Sequence, residues 1–230
     1  IEDVFNRFQE GKAFELNEAR SFVSELIEST VKNPDAAIKL LDVEKHDEYT
    51  FRHSVNVGLI FLSLISKQVG RDTLEDLTMG AVFHDIGKTK IPAHILNKPS
   101  ALTDEEFESV KKHTVYGYDM LYAAGEFSDD SLDIVRHHHE RWDGTGYPDR
   151  QTGEEISAYS RLAAVCDVYD ALTTTRSYKP RMDFASAMDI IIKGSGKHFA
   201  PQSVNKLWTS FGLYPIGSFV KLSTGEIGVV

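Results

Sequence analysis

Cysteine is almost missing from this chain. Of 230 residues only Cys166 carries a thiol, so no internal disulfide can form, and its apolar surroundings predict a packing role. Long apolar runs are missing as well. None approaches the roughly 20 residues needed to cross a bilayer, and no basic-plus-apolar leader precedes the first helical pattern. No membrane segment is therefore expected, and a cytoplasmic location is the default. Positive charge is the third scarcity: 25 lysines and arginines against 35 aspartates and glutamates give a net charge of −10. Nonspecific nucleic-acid binders concentrate charge of the opposite sign, so DNA is not an expected partner, and any anionic substrate must be drawn by local charge.

What is present suffices for one full core. The chain is 41% hydrophobic and 26% charged, which reads as one globular domain with a small appendage. Nearly every segment has helical period. Phe22, Val23, Leu26 and Ile27 form one apolar stripe, and Pro34 can open a further helix through Leu40 and Leu41. Phe51, Val55, Leu59, Leu62 and Ile65 form a longer stripe. Thr73 before Asp76 predicts a helix start, with the helix running into His84-Asp85 and stopped by Gly87. Thr103 with Glu106 is a capping box opening a helix through Phe107, Val110, His113 and Leu121, and Leu132 and Val135 lead into a run of three histidines. Residues Trp142 to Asp149 have the glycines and proline of a shaped loop. Helices are predicted again from about Ser157 to Leu172, around Ala187 to Ile192, and from Ser203 to Phe211. At the end, Ser218 to Leu222, a Ser223-Thr224-Gly225 turn and Glu226 to Val230 predict a β-hairpin. An isolated hairpin is marginal, and this one is cut short. Together with Ile1 as first residue, that predicts a piece of a longer protein whose regulatory segment lies elsewhere.

The pair His84-Asp85 stands out chemically. It offers an imidazole nitrogen and a carboxylate whose two oxygens can bridge two metal ions. Alone it reads as an ordinary helix end, just as His53 or His113 alone would read as a packed histidine. Further histidines and aspartates recur, however, at His53, His113, His137, His138, His139, Asp167 and Asp170. Imidazole suits borderline metals, and aspartates extend the choice to iron and manganese beside zinc. Two divalent ions on five neutral histidines and two aspartates would leave the site net positive, which would let an acidic protein hold a phosphodiester. The glycine-rich loop lacks the spacing of a nucleotide P-loop.

Several longer motifs occur in order over residues 45 to 205. They are Tyr49-Thr50 with His53-Ser54, His84-Asp85-Ile86-Gly87-Lys88, His113, His138-His139-Glu140-Arg141-Trp142-Asp143-Gly144-Thr145-Gly146-Tyr147-Pro148, Asp167-Val168-Tyr169-Asp170-Ala171-Leu172 and Arg176-Ser177-Tyr178-Lys179. Together they resemble the HD-GYP domain family, a branch of the HD-type metal phosphohydrolases. The resemblance implies an all-α, HD-type helical bundle with N-terminal helices and a small C-terminal β-hairpin. Residues 1–44 would be an N-terminal helical segment, 45–212 the catalytic domain and 213–230 the hairpin. It also implies a bacterial second-messenger enzyme that hydrolyses a cyclic dinucleotide, chiefly cyclic di-GMP, to the linear dinucleotide, with a further cut to GMP left open. Some members prefer cyclic GMP-AMP, and some are degenerate receptors.

Carried over residue by residue, the resemblance assigns His53, His84, Asp85 and Asp167 to one metal, and His113, His138 and His139 with a bridging Asp85 to the other. A metal-bridging hydroxide would attack the phosphodiester. Lys88 would contact the scissile phosphate and assist the leaving group, and Tyr147, Arg176 and Lys179 would hold the substrate. Three-metal members carry a glutamate where this chain has Tyr49, so two divalent ions are expected, iron or manganese ahead of zinc. Outside this set, His137 is expected at the surface or behind the ligands, His46, His94 and His198 at the surface or in loops, and Asp170 in a supporting role. A homodimer remains open.

Overall fold

The computed structural model describes residues 16–32, 49–174, 181–211 and 219–229. Apart from an isolated bridge between Ser195 and Phe199, the regular structure of the described residues before the terminal hairpin is helical. In order, the helices are α1 (Leu16–Lys32), α2 (Tyr49–Ile65), α3 (Arg71–Val82), a 3-10 turn (Ile86–Lys90), α4 (Ala93–Leu96), α5 (Asp104–Lys111), α6 (His113–Ala124), α7 (Asp129–His137), a second 3-10 turn (Gly153–Glu155), α8 (Ala158–Thr173), α9 (Phe184–Lys193) and α10 (Pro201–Phe211). The predicted helix through Leu40 and Leu41 falls outside the described residues. Strands β1 (Phe219–Lys221) and β2 (Ile227–Val229) form the antiparallel hairpin, with Val220 opposite Gly228. No helix among the described residues is long and apolar enough to cross a membrane.

Helix α2 is the centre of the bundle. It is apolar on more than one face, with Val57, Ile60, Phe61, Leu62, Leu64 and Ile65 all buried, so it must be covered on several sides. It packs between α3 and α8, while α1 and α10 add further cover. Helix α7 lies against α3, α6 and α8, bringing Ile134 and Val135 into the same core as Phe83 and Val165. Cys166 is fully buried in that core, and burial raises its pKa, as suits a packing side chain rather than a reactive thiol.

Helix starts follow side-chain chemistry. Ser128, Ser157 and Asp183 each accept a hydrogen bond from the backbone N–H three residues on, and Thr103 with Glu106 forms the complete capping box. Three expectations need correction. Helix α3 begins at Arg71 with Gly70 as its cap, so Thr73 already lies inside the first turn. It ends at Val82, and His84-Asp85 follows it in a turn that leads into the 3-10 segment. The helix predicted from Thr103 to Leu121 is two helices, divided at Lys112.

Gly87 does not stop α3. It sits within the 3-10 turn because that turn runs against α6: a Cβ there would collide with the carbonyl oxygen of His113 and lie 2.8 Å from its carbonyl carbon. Backbone on both sides leaves no side chain to move aside. Replacing Gly87 by alanine should therefore cost about 1–3 kcal/mol by overpacking, read as a lower urea midpoint with an unchanged m-value. A midpoint equal to that of the parent protein would show that the two backbones have room to separate.

Candidate metal centre

Three helix ends carry most of the candidate ligands. His84 follows α3, His113 opens α6 directly after α5, and His138 and His139 follow α7. His53 comes from α2 and Asp167 from α8, the two neighbours at the middle of the bundle. The structure gathers all seven expected residues into two groups that could each hold a metal ion: Asp85, His113, His138 and His139 in one, and His53, His84 and Asp167 in the other. Within each group one ligand atom per residue lies within 4.8 Å of the others.

Asp85 joins the groups. Its Oδ1 faces His113 Nε2 at 3.2 Å and His138 Nε2 at 3.8 Å, whereas Oδ2 faces His84 Nε2 at 3.4 Å and His53 Nε2 at 3.7 Å. Asp167 closes the second group, with Oδ1 3.0 Å from His53 Nε2, and its Oδ2 lies 3.8 Å from His139 Nδ1 in the first. Lys88 Nζ donates to Asp85 Oδ2 at 2.5 Å from the more open side.

The backbone orients the rings. The Nδ1 atoms of His84, His113 and His138 lie 2.8, 2.7 and 2.9 Å from the carbonyl oxygens of Ala81, Val110 and Val135, each three residues back. A carbonyl only accepts, so each Nδ1 carries the proton and each Nε2 turns its lone pair into the cluster. These carbonyls belong to the last turns of α3, α5 and α7, where backbone donors run out. His53 is held by a carboxylate instead: its Nδ1 donates to Asp170 Oδ2 at 2.6 Å, and Asn56 and Thr174 donate to Asp170 Oδ1, both at 2.8 Å. Asp170 thus has the supporting role expected of it. Asn56, one turn after His53, shows itself only through this contact.

The site is buried and its charges are strongly coupled. Burial opposes ionisation of Asp85, but the Lys88 ammonium and the His84 and His113 rings hold its carboxyl well below the usual range. Asp167 is likewise lowered against burial, chiefly by His53. Burial also opposes charge on His53, yet Asp167 and Asp170 on its two nitrogens raise its pKa to about 9. His138 and His139 are driven the other way by burial, His139 to about 3, and stay neutral. Neutral imidazoles and ionised carboxylates are the forms that bind metal, so an ion at His53 would have to displace the proton that Asp167 and Asp170 otherwise hold there. His84 Nε2, in one group, and Asp85 Oδ1, facing the other, are buried and make no hydrogen bond, a costly state that a cation in each group would relieve. The donor set therefore fits borderline divalent metals.

The Gly146-Tyr147-Pro148 loop closes one side. Tyr147 lies 4.8 Å from the His139 ring, centroid to centroid, and burial with nearby Asp85 and Asp167 raises its pKa, so its hydroxyl remains a donor. Gly146 allows this approach, since a Cβ there would meet Glu140 Cα at 2.5 Å. Asp149 ties the loop down: Arg136 donates to it twice, at 2.7 and 3.0 Å, and its N–H donates to Glu140 Oε1 at 2.7 Å. His137 bridges Asp149 Oδ2 at 2.9 Å and Asp133 Oδ1 at 2.6 Å. Burial opposes its charge, but the two carboxylates raise its pKa. His137 is therefore a buried support behind the ligands rather than a surface residue, and nothing in its local sequence announces Asp149 as partner. His94 is exposed, and His198 is a half-buried loop residue stacked on Phe199. Arg176 and Lys179 lie outside the described residues, as does His46.

Comparison with known proteins agrees with this geometry. The pattern of the HD domain family matches residues 56–202. The chain is 38% identical over its whole length to a cyclic di-GMP phosphodiesterase of Pseudomonas aeruginosa, of which it covers 56%. It is 37% identical over 132 residues, 56% of the chain, to a 3′3′-cGAMP-specific phosphodiesterase of Vibrio cholerae, of which it covers 25%. The chain thus spans about half or less of these curated relatives. Among solved structures, an HDG"Y"P protein from Bdellovibrio bacteriovorus has the same fold, with a TM-score of 0.71 at 22% identity over 90% of this chain and 66% of that one. Family pattern, helical architecture and the ordered His-Asp and Gly-Tyr-Pro motifs agree, and the chain belongs to the HD domain family, in its HD-GYP branch.

Proposed function

We propose that this chain is a metal-dependent phosphodiesterase that opens cyclic di-GMP to the linear dinucleotide. The observation that carries the reading is Asp85, whose two oxygens face two separate histidine groups while Lys88 binds it from the open side. In this reading His53, His84 and Asp167 hold one divalent ion, His113, His138 and His139 hold a second, and Asp85 serves both. Iron or manganese is the expected metal, with zinc as the alternative. When bound, such a pair would supply Lewis acidity to the phosphoryl oxygens and lower the pKa of water towards neutrality.

The chain's own groups account for the rest. Lys88 Nζ can turn from Asp85 to a phosphate oxygen and give a proton to the leaving 3′ oxygen, so that the P–O bond breaks without a free alkoxide. Tyr147, kept protonated by burial, offers its hydroxyl as a donor to the bound phosphate or ribose. Arg176 and Lys179 are assigned to the remaining phosphate on their motif alone. Cyclic GMP-AMP is the second substrate reading, favoured by the likeness to the Vibrio cholerae enzyme of that specificity.

Three outcomes are expected. Metal-loaded protein incubated with cyclic di-GMP and with 3′3′-cGAMP should release linear product, followed by chromatography, with cyclic di-GMP cut faster. Binding without cleavage across iron, manganese and zinc would instead make the protein a receptor. Asp85→Ala should drop the metal content from two ions per chain, and the rise in melting temperature that manganese brings to the parent should shrink with it. Two ions retained in that variant would end the bridging assignment. Lys88→Met should leave metal content intact and lower kcat by about 10²- to 10⁴-fold, the usual worth of a placed proton donor. A loss in KM alone would reassign Lys88 to binding.

A further inference from the structure

Phe107 is used by none of these roles, yet it is built into the rim of the site. The residue is 47% exposed. A lone exposed phenylalanine elsewhere would need no explanation. This one stands on a fixed support, because α5 starts in the capping box: Glu106 N–H donates to Thr103 Oγ1 at 3.2 Å, and Glu106 Oε2 accepts from Thr103 N at 2.7 Å and from Lys98 Nζ at 2.5 Å. Phe107 follows immediately, its N–H on the Thr103 carbonyl at 2.9 Å. Its ring meets Tyr147 edge to face, with centroids 6.4 Å apart and planes at 84°. Tyr147 in turn lies 4.8 Å from His139, so a line of rings leads from the metal cluster out to an open aromatic surface.

Lys111, one helical turn after Phe107, brings its ammonium to 5.1 Å from the Phe107 centroid and 5.7 Å from that of Tyr147. Its carboxylate partner, Glu108, is 2.5 Å away with a side chain 67% exposed. The Lys111 side chain is 25% exposed, so only one end of the pair stands in water, and such a pair is weak enough to exchange for another acceptor. The ammonium stands over the Phe107 ring, so a flat group stacking there would displace it from the ring face to its edge, where a cation with donors only stays within reach.

We propose that Phe107 and Lys111 form a purine subsite, the ring stacking on one base of the substrate and the ammonium meeting that base's acceptor edge, with guanine favoured over adenine. Stacking needs only a π face and accepts either purine. The choice comes from the edge, since guanine presents O6 and N7 acceptors together, whereas adenine sets its N6 amino donor beside N7. This inference rests on the cyclic-dinucleotide reading above.

The test uses the metal-loaded full chain and its Phe107→Ala, Phe107→Trp and Lys111→Met variants. Phe107→Ala should raise KM for cyclic di-GMP by about ten- to a hundredfold, the usual range for losing a base stack, with the change falling in KM rather than kcat and tryptophan restoring it. Lys111→Met should weaken binding of cyclic di-GMP more than that of cyclic di-AMP. If Phe107→Ala turns over cyclic di-GMP with the parent's KM, the stack is wrong. If Lys111→Met weakens both ligands equally, the guanine edge is wrong. Parent protein that neither binds nor cuts any cyclic dinucleotide would overturn the proposed function itself, and the subsite with it.

Discussion

A carboxylate held between imidazoles in a dry interior is the constraint around which this bundle is arranged. Asp85 is almost fully buried, yet four histidine Nε2 atoms stand within 3.8 Å of its two oxygens. Burying a charge is expensive unless opposite charge or hydrogen bonds compensate, and here Lys88 supplies only part of that compensation. The remaining demand is for positive charge between the rings. Helices α2, α3, α6 and α7 and the turn that follows each ligand-bearing helix end are placed so that their nitrogens meet that demand together.

Helix termini do much of the positioning. A ligand histidine needs one nitrogen fixed and the other free, and the last carbonyls of a helix are acceptors without backbone donors. His84, His113 and His138 each use such a carbonyl three residues behind them. The division between α5 and α6 at Lys112 fits this scheme, since it makes Val110 a helix-end carbonyl just where His113 needs an acceptor. His53 lies in mid-helix, where no carbonyl is spare, and Asp170 takes that place instead.

Behind the cluster, a second ionic network holds the loop. Arg136, His137, Asp133, Glu140 and Asp149 are joined by short hydrogen bonds that bring Tyr147 over His139 and, through it, towards Phe107. Three of the candidate ligand histidines are oriented at helix ends, whereas the Gly-Tyr-Pro rim is held by this loop, so the two can vary separately. That division fits a family whose relatives bear the names of phosphodiesterases for different cyclic dinucleotides.

Much of this was legible in the linear chain because it depends on local spacing. The capping box at Thr103, the helical periods, the buried Cys166, the hairpin and the candidate ligands are all properties of short segments or ordered motifs. The ends of α3 were misread because Thr73 and Gly87 look like start and stop signals, while Gly87 answers to the approach of α6 rather than to its own helix. The partners of His53 and His137 were invisible for a related reason: Asp170 lies 117 residues from His53, and Asp149 reaches His137 only because the loop folds back. Residue type and order along the chain thus specified the chemistry available, a set of neutral nitrogens and anionic oxygens suited to metal. Which oxygen of Asp85 faces which histidines, and which aromatic side chain is left open at the rim, depends on how separate helices pack, since those distances exist only once distant segments share one core.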